Sequence, residues 1–249
     1  MKYKESPEIK YPEKTVWLKN LIYLGGILIV CNTLATIFFN LTVMRYARFI
    51  SSVLILVYYQ FVLPKHNKLF FFAIAAFVLR DYFMISYEDQ ENTYLFFTCG
   101  FIAYTLLTIK QVRNLLRFRF EFPPLLAIGL FALISFFILY VLESLVQEYF
   151  LNVQTSYLFY AMGTSLICLI FVAIYYYYRL GNLRSLVFSF GVFSLMISDV
   201  NLCVAYYLGC TSLDIPVRVF YILGLVLIIN YGVNTAMRKK EMNLKEEFF

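Results

Sequence analysis

The stretch Pro124–Leu142, PLLAIGLFALISFFILYVL, contains no Asp, Glu, Lys, Arg or His. A helix built from it is apolar on every side, which places it either in the core of a large protein or in lipid. The rest of the chain decides between the two. Its 249 residues are 62% hydrophobic and 14% charged, against about 45–50% and roughly 25% in soluble domains. One core of this size cannot hide the excess, whereas a bilayer can. Seven further runs approach the length of about 20 residues that a spanning helix needs: Val16–Phe39, Ala47–Leu63, Leu69–Ser86, Thr93–Ile109, Val153–Tyr178, Ser185–Leu208 and Pro216–Met237. Pro64, Asn67, the Glu88–Asn92 segment, Pro123, Gly181-Asn182 and Gly209 separate them, as helix-ending residues do. The prediction is an all-α fold: a polytopic transmembrane bundle of eight helices over 16–237, with tails at 1–15 and 238–249.

Of the 21 Lys and Arg, all but Arg45, Arg48, Arg80 and Arg218 lie in or beside the two tails and the second, fourth and sixth loops. The third and fifth loops carry only Glu88, Asp89, Glu91, Glu143 and Glu148. The positive-inside rule then puts both termini in the cytoplasm. Tyr175–Tyr178 and Tyr206-Tyr207 fall at span ends, where an interfacial aromatic belt is expected. The net charge of +6 is scattered between apolar runs, so nucleic acid is not a predicted partner. The five cysteines form no CxxC and read as small apolar fill rather than a disulfide framework. The polar first fifteen residues lead into no cleavage-site pattern, and no cleaved signal peptide is predicted. His66 is the one histidine; in a basic loop it reads as solvated, and no metal or other cofactor is predicted.

Ionisable groups inside apolar spans are costly and mark function. Two carboxylates qualify, Asp81 in the third run and Asp199 in the seventh. Asp81 lies ~18 Å of helical rise beyond Leu69, and Asp199 ~21 Å beyond Ser185. Against a hydrocarbon core of about 30 Å, the two share one depth. Each flanks a stripe of small residues, Ala73-Ala76-Arg80 and Gly191-Ser194-Ser198-Asn201-Ala205, the kind of face that lets helices approach closely. The third and seventh spans are four apart, which suggests two parallel four-helix halves. Two carboxyls at one depth suit acid–base work, one neutral as general acid and one ionised to activate water. They equally suit hydrogen bonding to a neighbouring helix, or pairing with Arg. Arg80 is a poor partner for Asp81, because adjacent helical residues do not face each other.

These residues carry a resemblance. Gly191-Val192-Phe193-Ser194-Leu195-Met196-Ile197-Ser198-Asp199, Val78-Leu79-Arg80-Asp81 and Cys99-Gly100-Phe101 resemble, in order and spacing, motifs of the lysoplasmalogenase (YhhN-like) integral membrane proteins. The resemblance implies eight helices and hydrolysis of the vinyl-ether bond of lysoplasmalogens to a fatty aldehyde and a glycerophospho-base. It implies Asp81 and Asp199 as the catalytic pair and a lysophospholipid or other single-chain lipid as partner. Departures are Arg80 where the family has Gly, Arg48-Phe49 where it has Lys-Pro, and Thr105 and Thr108 aligned with a His and a Tyr. Tyr221-Ile222-Leu223-Gly224 stands where a Gln is usual. Arg48, Arg80 and Arg218 are the candidates to hold a lipid phosphate, which a guanidinium binds bidentately. Ser198 and Asn201 are grouped with them as substrate contacts. Snorkelling to outer-leaflet phosphates is the other reading of these arginines and of Arg45, for which it fits best. The expected location is a bacterial inner membrane, multi-pass. The alternative function is a non-catalytic lipid-binding protein or a proton-coupled transporter.

Overall fold

A computed structural model describes residues 13–62, 68–115, 122–150 and 152–233. They form eight α-helices: α1 (Glu13–Phe38), α2 (Leu41–Val62), α3 (Lys68–Phe83), α4 (Gln90–Leu115), α5 (Phe122–Val146), α6 (Val153–Leu180), α7 (Leu183–Tyr207) and α8 (Asp214–Val233). Single 3₁₀ turns precede α6 and α8. No strand occurs among the described residues. Seven of the helices are long and apolar enough to cross a bilayer, and the chain is a multi-pass integral membrane protein. α3 is the exception. Its 16 residues rise about 24 Å, short of a core of about 30 Å. After Phe83 the chain turns through residues 84–89 instead of continuing helically to Ser86. Lys65, His66, Arg117, Arg119 and most of both tails lie outside the described residues.

Helix ends follow local chemistry. Asn40 Oδ1 accepts the Val43 amide at 3.1 Å, an N-cap that lets α2 start at once after α1. α2 therefore begins at Leu41 rather than Ala47, and Arg45 and Arg48 sit within the helix. Gly181 ends α6 at φ 53°, a left-handed position that Gly adopts without penalty. Asn182 then caps α7, accepting the Ser185 amide at 2.8 Å. α5 runs one turn past Leu142 and carries Glu143 with it. Glu143 is buried against α6, where Ser156 and Tyr160 donate to its carboxylate; it is not the loop residue that its charge suggests.

The helices neighbour one another in a closed order, α1–α2–α3–α4–α6–α7–α8 and back to α1, with α2 also touching α8 and α5 packed on α6. Outward faces stay apolar: Ile22 and Ile27 on α1, Phe61 on α2, Leu133 and Phe137 on α5 are all exposed. Such continuous apolar surface fits lipid, not water.

The tightest seam is α7 on α8. Gly191 and Ser198 of the small-residue stripe are buried there, and the Ser198 hydroxyl donates to the Val217 carbonyl at 2.8 Å. A Cβ at Gly224 would lie 2.9 Å from Leu195 Cδ2 and 3.1 Å from the Gly191 carbonyl oxygen. That oxygen is backbone and cannot yield unless α7 moves. Gly224→Ala is therefore expected to cost roughly 1–3 kcal/mol, seen as a lower Tm in detergent. Gly26→Ala, where nothing lies within 4 Å, should not lower it. Equal melting of the two variants would contradict close α7–α8 contact.

Candidate functional site

α3 presents Arg80 and Asp81 in succession, about 100° apart around the helix, so the two side chains reach different neighbours. Arg80 Nη1 meets Asp199 Oδ2 of α7 at 2.9 Å. Asp81 Oδ1 accepts from Arg48 Nε of α2 at 3.0 Å. The short helix thus joins α2 to α7 through two ion pairs. All four side chains are buried, Arg80 at 0% exposure and Asp81 at 1%. Charges in lipid surroundings persist when paired in this way.

Two tyrosines complete the cluster. Tyr104 of α4 donates to Asp199 Oδ2 and accepts from Arg80 Nη1 at 3.2 Å. Tyr221 of α8 lies under Arg48, with 4.0 Å between guanidinium carbon and ring centroid. The Arg80 guanidinium sits among the rings of Phe77, Phe96, Tyr104 and Tyr221 at 5.2–5.9 Å, where ring quadrupoles favour a cation. Gly100 makes room for it: a Cβ there would fall 3.3 Å from Arg80 Cδ and 2.4 Å from Met162 Sδ. Sequence reasoning missed both tyrosines. Of the two threonines quoted in α4, Thr108 bonds back to its own helix, at the Tyr104 carbonyl. The hydroxyl that α4 contributes is Tyr104.

The network leaves polar capacity unused. Asp199 Oδ1, Arg48 Nη2, and Arg80 Nε and Nη2 are buried without a hydrogen-bond partner among the described residues. Unmet groups at this density are rare in a core and call for a specific explanation. One of these residues, Asp199, lines a cavity. A cavity of about 40 Å³ is lined by Asp199, Cys203, Phe96, Phe159, Met162 and three tyrosines. It has room for a few waters, not for an acyl chain.

Comparison with protein-family models, with curated proteins and with solved structures finds no match to this chain. The resemblance to lysoplasmalogenases rests on the quoted motifs alone.

Several expected placements are corrected. Of the two aspartates, only Asp199 lines the cavity of about 40 Å³. Neither is a free acid, since each is engaged by an arginine. Arg48, Arg80 and Arg218 do not line that cavity either. Arg218 Nη1 instead binds the Asp214 carbonyl and carboxylate of its own first turn, at 2.7 and 3.3 Å. Snorkelling fails as well, because all three are buried along with Arg45. Arg45 grips both carboxylate oxygens of Glu88 at 2.7 and 2.8 Å. Those bonds hold the Glu88 carboxyl below its usual range. Ser198 serves the α7–α8 seam, and Asn201 is half-buried and does not line the cavity.

Proposed function

We propose that this chain is a membrane-embedded lipid hydrolase of lysoplasmalogenase type. It would cleave the vinyl-ether bond of a single-chain lipid to a fatty aldehyde and a glycerophospho-base. The observation that carries the reading is the asymmetry of Asp199. One carboxylate oxygen is held by Arg80 and Tyr104, the other is unpartnered, and the residue lines a cavity.

That arrangement supports one carboxyl working in two strokes. Asp199, ion-paired at rest, takes up a proton at Oδ1 ahead of catalysis and delivers it to the vinyl carbon remote from oxygen, leaving an oxocarbenium ion and the ion-paired carboxylate. Arg80 and Tyr104 stabilise the carboxylate as it forms, which is where preorganised donors lower a barrier. Water then adds to the oxocarbenium carbon and returns a proton to Oδ1. The hemiacetal so formed collapses to aldehyde and alcohol. Net, one water is consumed and the acid is regenerated. Asp81 acts at one remove, neutralising Arg48 beside Tyr221. The test is aldehyde release from lysoplasmalogen by purified protein in detergent. Release no faster than in protein-free micelles would refute the proposal.

Eight spans and two halves belong to the same proposal. The halves are supported by corresponding contacts: α3–α4 with α7–α8, α2–α3 with α6–α7, and α2–α8 with α6–α4. Cytoplasmic termini are supported by Lys68, Lys110, Arg113, Arg179 and Arg184, which cluster at one end of the helices. A second reading, a proton-coupled carrier, is favoured by one observation. Glu143 is a buried carboxyl in a span, bonded by hydroxyls, with no Lys or Arg ion-paired to it among the described residues. Substrate-dependent proton uptake into proteoliposomes, without aldehyde, would favour it.

A further inference from the structure

Two spaces meet where the turn of residues 84–89 approaches the end of α7. The inner one is the Asp199 cavity. The outer, about 80 Å³, is lined by Glu88, Gln90, Thr93 and Thr155 together with aromatic rings. Tyr87, Tyr206 and Tyr207 line both, so these three side chains are the partition between them. Their rings pack edge to face, Tyr87 on Tyr206 at 5.0 Å and Tyr206 on Tyr207 at 4.9 Å. One hydrogen bond closes the partition, between the Tyr87 and Tyr207 hydroxyls at 2.7 Å.

The part of this wall that carries Tyr87 is not α-helical. It is fastened from outside by Arg45, which holds the Glu88 carboxylate and donates to the Ile85 carbonyl at 3.1 Å. The Glu88 side chain is 58% exposed, so this fastening is partly solvated. The turn is held by the Tyr87–Tyr207 hydrogen bond, by Arg45 on Glu88 and on the Ile85 carbonyl, and by the Thr93 hydroxyl on the Tyr87 carbonyl; side-chain bonds take the place of a continuous helical ladder there, and such a segment opens ahead of the helices beside it.

We infer that Tyr87, Tyr206 and Tyr207 form a gate, and that an outward swing of the 84–89 turn joins the two spaces into one route ending at Asp199. The lining changes from polar at Glu88, Gln90 and Thr93 to apolar at Phe96, Phe159 and Met162. The ligand it suits is a slender amphiphile that leaves its polar part in the outer space. The choice of ligand rests on the hydrolase reading, whereas the gate itself is measured without turnover.

Cys203 lines the inner cavity and serves as a native reporter. Cys99 is equally buried but does not line it, and so reports general loosening. The experiment is modification of detergent-solubilised protein by a small methanethiosulfonate, with each cysteine quantified by peptide mass spectrometry. Tyr207→Phe removes the latch and keeps the ring; Arg45→Gln releases the turn by an independent contact. Each is expected to speed Cys203 modification about tenfold, the shift in an opening equilibrium that corresponds to about 1.4 kcal/mol, while Cys99 keeps its wild-type rate. Acceleration confined to Cys203 supports the gate. An unchanged Cys203 rate in both variants, or Cys99 accelerating in step with Cys203, overturns it. Neither outcome depends on whether aldehyde is released, so failure of the gate and failure of the hydrolase reading are separable.

Discussion

Arg80→Met is expected to destabilise the bundle by about 3–5 kcal/mol, the usual consequence of removing one partner from a buried ion pair. Methionine fills much of the arginine volume and suits the ring-lined site, so the loss is not mainly one of packing. What remains is Asp199, buried, with Tyr104 alone to bond it. Without its arginine that buried carboxylate must either stay ionised unpaired or take up a proton, and in both cases the contribution of the ion pair to folding is lost. The double variant Arg80→Met, Asp199→Asn carries no orphaned charge, keeps a Tyr104 partner, and should regain most of the loss. Unfolding in detergent, followed by circular dichroism across the four forms of this cycle, measures the coupling. A single variant within about 1 kcal/mol of wild type would mean that Asp199 does not depend on Arg80. The pair at 2.9 Å would then not be the strut that joins α3 to α7.

The span-forming runs and the two intramembrane carboxylates were legible in the sequence because each is a local property. Apolar length shows in any window, and an aspartate among phenylalanines is visible at once. Partners are not local. Arg80 and Asp199 are 119 residues apart, and nothing in the run around Arg80 says which helix its guanidinium will meet. The same blindness explains the arginines. Arg45 and Arg48 looked like interface residues because an unpaired guanidinium belongs there; Glu88 and Asp81 bury them instead. Tyr104 and Tyr221 were hidden for a different reason. With 20% of residues aromatic, a functional tyrosine has no contrast against its neighbours. α4 runs on to Leu115, past the Ile109 end that a lysine at position 110 suggests. Lys110 instead lies on the helix, its ammonium 3.8 Å from the Phe70 ring centroid, and a long amphipathic side chain can pack this way without ending a span.

Asp199→Asn is expected to lower the rate of aldehyde release by about 10²–10⁴, the range for loss of a general acid–base group. Asparagine keeps the shape and can still meet Tyr104, but its side chain neither delivers nor accepts the proton at the unpartnered oxygen. It also leaves Arg80 unpaired, so an unfolded variant could imitate a catalytic loss. The folded control is the double variant Arg80→Met, Asp199→Asn, which should remain assembled and equally inactive. Asp81→Asn gives the opposing test. Asp81 does not line the cavity and bonds Arg48; its loss should act through Arg48, and Arg48→Met added to it should recover part of the rate. Acid and base on separate aspartates predict something else: two single variants equally dead, with the Asp81→Asn, Asp199→Asn double no worse than either. Recovery by Arg48→Met in the Asp81→Asn background, with none by Arg80→Met in the Asp199→Asn background, distinguishes a residue that balances a charge from one that moves the proton.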